Sequence, residues 1–226
     1  MSAAPDYGRA FALWRGAVAE DWRAYTRHPF VEGMRDGTLP REAFVRYLVQ
    51  DYLFLLHFSR AWGLAIAKSG TLEEMQAAAL TVHALLNEET ALHVAVCEAA
   101  GIPRADLAAA EEAPEGLAYT RFVLEAGYSG DLLDLYAALS PCVFGYGEIG
   151  ARLAREAGPT PYADWIASYG GSGYQDLCRA TGALMDGALE RRLGPDWAAL
   201  PRWAELTRRF RIATRLEAAF WEVGRA

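Results

Sequence analysis

The chain of 226 residues is 53% hydrophobic and 23% charged, a composition that excludes general disorder and leaves enough apolar residues for a substantial core. Its 22 Lys and Arg against 29 Asp and Glu give a net charge of −7 with no basic run to offset it locally, so a nucleic-acid partner is not expected. No apolar run reaches the roughly 18 residues of a membrane span, the opening lacks the pattern of a secretory leader, and three scattered cysteines form neither a disulfide framework nor a metal motif.

The expectation is therefore a single domain, residues 1–226, in the cytoplasm. Apolar residues recur at spacings of three and four with no sustained alternation, which predicts an all-α fold. Phe11, Leu13, Trp14, Val18, Trp22 and Tyr25 mark a first helix from Tyr7 to Thr26, which His28-Pro29-Phe30 breaks. RDGTLP reads as a turn, and a long helix follows from Pro40 to Lys68. Thr71-Leu72-Glu73-Glu74 opens a third helix in the manner of a capping box, and Gly101-Ile102-Pro103 closes it. Further helices are expected from Pro114 to Ala126, from Asp131 through Pro141 to Ala157, and from Pro161 to Tyr169. The last two run from Gly173 to Arg192 and from Trp197 to Val223. Short loops between them predict an antiparallel bundle.

Several side chains stand out against this apolar pattern. Asp51, in LVQDYLFLLHF, must either face solvent or be buried with partners. Glu89 and His93 lie four apart on one helix face and could form half of a dinuclear metal site, but the second pair is missing, which favours a structural hydrogen bond or salt bridge. Cys97 and Cys178 sit among apolar helical residues as small core groups. Cys142 differs because it follows Pro141, which removes a backbone donor inside a helix, and because Tyr146 lies one turn later on its face. A thiol with polar company of that kind is a candidate nucleophile. Glu217 shares a face with Phe220, an acid beside a ring that suits a flat, protonatable ligand; a surface glutamate beside a core stripe is the simpler reading. The glycines of Tyr169-Gly170-Gly171 are explained by helix capping alone.

Taken together and in order, these segments resemble the TenA family, also called thiaminase II or aminopyrimidine aminohydrolase. The landmarks are HPF at 28–30, DGTLP at 36–40, FVRYLVQDY at 44–52 and ETALH at 89–93. They continue with AALSPCVFGYGEIG at 137–150, WIASYGG at 165–171 and LEAAFW at 216–221. The resemblance implies a haem-oxygenase-like helical bundle, assembled as a homotetramer, that hydrolyses an aminomethyl pyrimidine or thiamin without a metal or organic cofactor. It places Cys142 at the family nucleophile, Glu217 at the acid–base glutamate and Asp51 at the aspartate that binds the aminopyrimidine edge. Tyr146, Tyr169 and Tyr119 fall at substrate-binding tyrosines, with Phe220 as an aromatic face. Phe54 stands where many members have tyrosine, and Ser140 where Leu precedes Pro-Cys, which bears on the preferred leaving group. Two other readings fit the residues: a non-catalytic pyrimidine-binding or regulatory relative, and a metal-dependent oxidase built from Glu89 and His93.

Overall fold

The structure, a computed structural model, describes residues 5–224, and among these there are helices and no strands. The fold class is all-α. In chain order the helices are α1 (Arg9–Ala17), α2 (Ala19–Thr26), α3 (Pro29–Asp36), α4 (Arg41–Lys68), α5 (Leu72–Ala84) and α6 (Thr90–Ala99). They continue as α7 (Arg104–Ala109), α8 (Pro114–Ser129), α9 (Leu132–Glu156), α10 (Ala163–Gly170), α11 (Ser172–Leu193) and α12 (Pro201–Phe220). No helix among the described residues is long and apolar enough to cross a membrane.

The chain clusters into two compact units, one made of the residues up to Leu39 with Tyr136–Ala218, the other of Pro40–Leu135 with the residues from Ala219 onward. The boundaries fall inside α9 and at the end of α12.

The first unit is built on α9, which crosses it with Pro141 in its interior. Three glycines of FGYGEIG let neighbours approach the α9 backbone. A Cβ at Gly145 would lie 2.1 Å from the Tyr25 ring of α2, and one at Gly147 would lie 2.5 Å from the Cys178 sulfur of α11. At Gly150 it would fall 2.3 Å from the backbone of Tyr169 in α10. No side chain fits at those distances, so α9 needs glycine at these three contacts with α2, α11 and α10. The aromatic core follows from the helix periodicity: Phe11 meets Phe144 at 4.7 Å, and Trp14 stacks on Phe210 at 5.0 Å and on Trp203 at 4.9 Å. Such pairs add to the hydrophobic gain of burying the rings.

Two expectations are refined here. The first helix divides at Val18, yet the backbone ladder runs on, since Val18 N donates to Trp14 O and Trp22 N to Val18 O. Residues after His28 were expected only to break and turn; they instead form α3. His28 caps it by accepting the Phe30 N–H on Nδ1, Pro29 takes the first helical position, and Gly37 ends it at φ 68°. Phe30, Val31 and Met34 bury its inner face.

The second unit is built on α4, whose 28 residues bury Tyr47, Asp51, Phe54, Phe58 and Trp62 along one side. Thr71 and Glu74 cap α5 as expected: Thr71 Oγ1 accepts from Glu74 N, and the Glu74 carboxylate accepts from Gly70 N at 2.8 Å. The expected third helix is not uniformly α-helical. A π-helical segment, Leu85–Glu89, separates α5 from α6, and Thr90 Oγ1 donates to the Leu85 carbonyl at 2.6 Å. Short π segments of this kind occur often beside functional groups. The expected last helix begins later than Trp197, because a 3₁₀ turn at Trp197–Ala199 precedes Pro201, and its end from Trp221 to Gly224 is 3₁₀.

Candidate functional site

In the second unit, Asp51 is buried at 2% exposure and has partners, which settles the alternative left open by the sequence. Its Oδ2 accepts the Tyr47 hydroxyl at 3.0 Å, from one turn earlier on α4, and lies 2.6 Å from His93 Nε2 on α6. The opposite ring nitrogen of His93, Nδ1, lies 2.8 Å from the Glu89 backbone carbonyl. The spacing of Glu89 and His93 therefore serves a hydrogen bond through the main chain, and Nε2 is occupied by Asp51. Among the described residues no three His, Cys, Asp or Glu side chains gather as a metal site.

Burial opposes a charge on His93, but the hydrogen bond and charge of Asp51, with the carboxylate and carbonyl of Glu89, outweigh it and hold the imidazole above its usual pKa. In the same unit three aromatic residues of the expected set come together. Phe54 stacks on Tyr119 of α8 at 5.0 Å and tilts against Phe220 at 5.5 Å. A Cβ at Gly116 would touch the Phe220 ring at 3.4 Å, so the start of α8 closes on that ring without a side chain between. Gln50 fixes the entry to α8, donating to the Glu111 carbonyl at 2.9 Å and accepting from Ala113 N at 2.8 Å.

In the first unit, Cys142 is half-buried on α9 directly after Pro141, and Tyr146 lies one turn on. Tyr146 meets Tyr169 edge to face at 5.0 Å, and Trp165 joins both rings, at 5.9 Å from Tyr146 and 4.6 Å from Tyr169. Gln175 of α11 orders this group by donating at 2.9 Å to the carbonyls of both Gly147 and Tyr169, while its own oxygen accepts the Tyr7 hydroxyl at 2.6 Å. The reading of Gly170 as a cap alone is corrected: a Cβ there would lie 2.7 Å from the Gly150 carbonyl, so α9 and α10 cross backbone to backbone at a glycine pair. That crossing brings Tyr169 to Tyr146.

Glu217 of α12 is 1% exposed and is no surface glutamate. Cys97 and Cys178 are fully buried, and burial raises both thiols, that of Cys178 to about 12.

The structure thus groups Phe54, Tyr119 and Phe220 in one unit, and Tyr146 and Tyr169 in the other. Asp51 is held by Tyr47 and His93, neither of them in the expected set. Tyr47 was visible as a residue four positions before Asp51 on the same helix face. His93 is 42 residues away and carried no signal linking it to Asp51.

Residues 15–225 match the TENA/THI-4/PQQC family. The chain belongs to that family. A solved structure of a TenA family transcription regulator from Silicibacter sp. TM1040 is 60% identical, covers 96% of this chain and 97% of its own, and superposes with a TM-score of 0.95. The aminopyrimidine aminohydrolase of Halalkalibacterium halodurans is 35% identical over 205 residues, 89% of each chain. That of Bacillus subtilis is 33% identical over 162 residues, 71% of this chain and 69% of the relative. This TenA chain therefore has the all-α fold expected from its helix periodicity.

Proposed function

We propose that this protein is a C–N hydrolase of thiamin salvage, an aminopyrimidine aminohydrolase that converts 4-amino-5-aminomethyl-2-methylpyrimidine to the 5-hydroxymethyl compound and also cleaves thiamin. What carries the reading is the 35% identity to the Halalkalibacterium enzyme along 89% of the chain, in a sequence that retains Cys142 and Glu217 in their motifs.

In this reading the Cys142 thiolate adds to the electron-poor ring, forming a C–S bond, while the Glu217 carboxyl protonates a ring nitrogen. The electron pair now on the ring expels the amine from the exocyclic carbon as that C–N bond breaks, and the departing nitrogen leaves protonated. Water adds its oxygen to the same carbon and gives up its proton, the ring nitrogen returns its own, and the thiolate leaves. The sum is amine plus water to alcohol plus ammonia, with no oxidant, metal or organic cofactor. Asp51 accepts from the exocyclic amino group, Tyr119, Phe54 and Phe220 supply ring faces, and Tyr146 and Tyr169 orient the substrate and water.

We further propose that the chain works as a single cytoplasmic domain assembled as a homotetramer. Leu72, Met75 and Leu80 of α5, Leu86 of the π-helical segment and Leu92 of α6 stand exposed and supply apolar surface for such an assembly. Light scattering on the eluting protein tests the tetramer, and a monomer would remove it.

A regulatory role is the second reading, favoured by the name of the Silicibacter structure. The net charge of −7 disfavours direct contact with DNA. The deciding experiment assays wild type and Cys142→Ala on the aminomethyl pyrimidine and on thiamin. Turnover by the wild type and loss of at least about 100-fold in kcat for the variant support the hydrolase. Full rates in the variant remove the nucleophile, and an inert wild type removes the hydrolase.

A further inference from the structure

We propose that His93 is a positioning residue which, with Tyr47, fixes Asp51 as a hydrogen-bond acceptor and so makes the site select pyrimidines with an amino group over those with an oxo group at the same edge. The inference rests on the aminopyrimidine reading given above and names its specificity device.

His93 Nδ1 lies 2.8 Å from the Glu89 carbonyl, which only accepts, so the proton must sit on Nδ1. His93 Nε2 lies 2.6 Å from Asp51 Oδ2, and Tyr47 donates to that same oxygen at 3.0 Å. Two proton arrangements satisfy these contacts. Either the imidazole carries both protons and Asp51 is a carboxylate, or Nε2 is bare and the shared proton sits on Oδ2. In both, Oδ1 carries no proton and can only accept. Among the described residues Asp51 Oδ1 has no hydrogen-bond partner, while the residue is 2% exposed.

An acceptor without an internal donor, on a side chain this little exposed, asks its ligand for an N–H. An exocyclic amino group supplies one; an oxo group at that position would set two acceptors against each other. Without His93 the carboxyl would lose the contact that fixes which of its oxygens is engaged, and the discrimination would fade. The main-chain carbonyl that fixes the tautomer belongs to Glu89, the last residue of the π-helical segment, so the irregular turn in the middle of the predicted third helix belongs to this device.

The test uses the full chain as wild type, His93→Gln and His93→Leu. Dissociation constants are measured by calorimetry for 4-amino-5-hydroxymethyl-2-methylpyrimidine and its 4-oxo counterpart, and kcat and KM for the aminomethyl pyrimidine. Wild type should prefer the amino compound by up to about 100-fold, the upper scale of leaving one polar group unsatisfied. His93→Leu should lose most of that preference and raise KM more than it lowers kcat. His93→Gln, whose amide still donates to Oδ2, should recover most of both. A folded His93→Leu with unchanged preference and KM overturns the proposal, as does His93→Gln behaving no better than His93→Leu. Should the variants fail to fold, 15N spectra of the wild-type imidazole decide: a protonated Nδ1 supports the device, and a bare Nδ1 refutes it. A wild type that binds neither pyrimidine removes the functional reading itself, whereas normal turnover with unaltered selectivity in the variants removes this inference alone.

Discussion

Replacing Gly182 by alanine tests how α11 seats the N-terminal helix. The new Cβ would lie 1.7 Å from the Tyr7 carbonyl oxygen and 2.6 Å from its carbon. Both are backbone atoms with no rotamer to escape into, so α11 and the start of α1 must part by more than 1 Å. Overpacking of this kind costs about 1–3 kcal/mol. The separation also strains Asp186, which accepts from Arg9 N at 2.7 Å and Ala10 N at 2.8 Å and so caps α1 from a neighbouring helix. Losing part of two charge-assisted bonds adds about 1–2 kcal/mol, for a total near 3 kcal/mol or more. At this chain length that lowers Tm by roughly 6–12 °C. Thermal and urea unfolding followed by circular dichroism measure it. Gly63→Ala is the control, because nothing lies within 4 Å of a Cβ there, and it should stabilise α4 by up to about 1 kcal/mol. A Gly182→Ala protein within about 0.5 kcal/mol of wild type would refute the close-approach argument.

Other expectations follow from single sites. Glu148 accepts from Arg15 Nε and Nη2, at 2.7 and 2.8 Å, and from Trp22 Nε1 at 3.0 Å, so Glu148→Leu should cost about 2 kcal/mol in denaturant unfolding, discounted for the partly exposed Arg15; a midpoint equal to wild type would contradict this. Native protein treated with iodoacetamide near pH 8 should be alkylated at Cys142 alone, since Cys97 and Cys178 are fully buried and held protonated by burial; peptide mapping that found Cys178 labelled at the Cys142 rate would count against the core assignment. His93 and His57 should shift stability with pH in opposite senses. The raised His93 pKa gives stability that is full below about 6.5 and lost as pH rises through the folded value. Burial, opposed by Glu112 and aided by Arg121 and Arg60, lowers His57, whose contribution is full above about 6.5 and is lost as pH falls through its folded value. Unfolding curves at pH 5.5 and 8 should therefore show His93→Gln losing more at the lower pH and His57→Gln losing less; the reverse order would refute both signs.

Much of this was legible in sequence because it depends on periodicity. The long helix from Pro40 to Lys68, the capping box at Thr71 and the tolerance of Pro141 inside a helix are properties of residues a few positions apart. Helix α3 was missed because its signals pull both ways: Pro29 reads as a breaker until His28 is seen to cap it and Phe30, Val31 and Met34 to be buried. The π-helical segment has no composition of its own and arises where α4, α5 and α6 meet. In the candidate site the resemblance supplied residues one by one, and the rings of Phe54, Tyr119 and Phe220 do gather. The ties of Asp51 to His93 and of Tyr169 to Gln175 were not legible, because a hydrogen bond between separate helices leaves no spacing to read. Gly170 illustrates the same limit: a glycine after a helix always suggests a cap, and only the neighbouring backbone of Gly150 reveals a crossing.

The division of the first unit between the two ends of the chain has a consequence for synthesis. Arg9 and Asp186 are 177 residues apart, a distance that a ribosome covers in roughly 10–35 s at typical elongation rates. For most of that interval Phe144, and for all of it Trp203 and Phe210, the distant ring partners of Phe11, Trp14 and Trp22, do not yet exist. The emerging N-terminal segment must therefore wait with its aromatic side chains unsheltered while residues 40–135 can already collapse. Nascent chains halted before α11 should be the form of this protein most dependent on chaperones and most prone to aggregate.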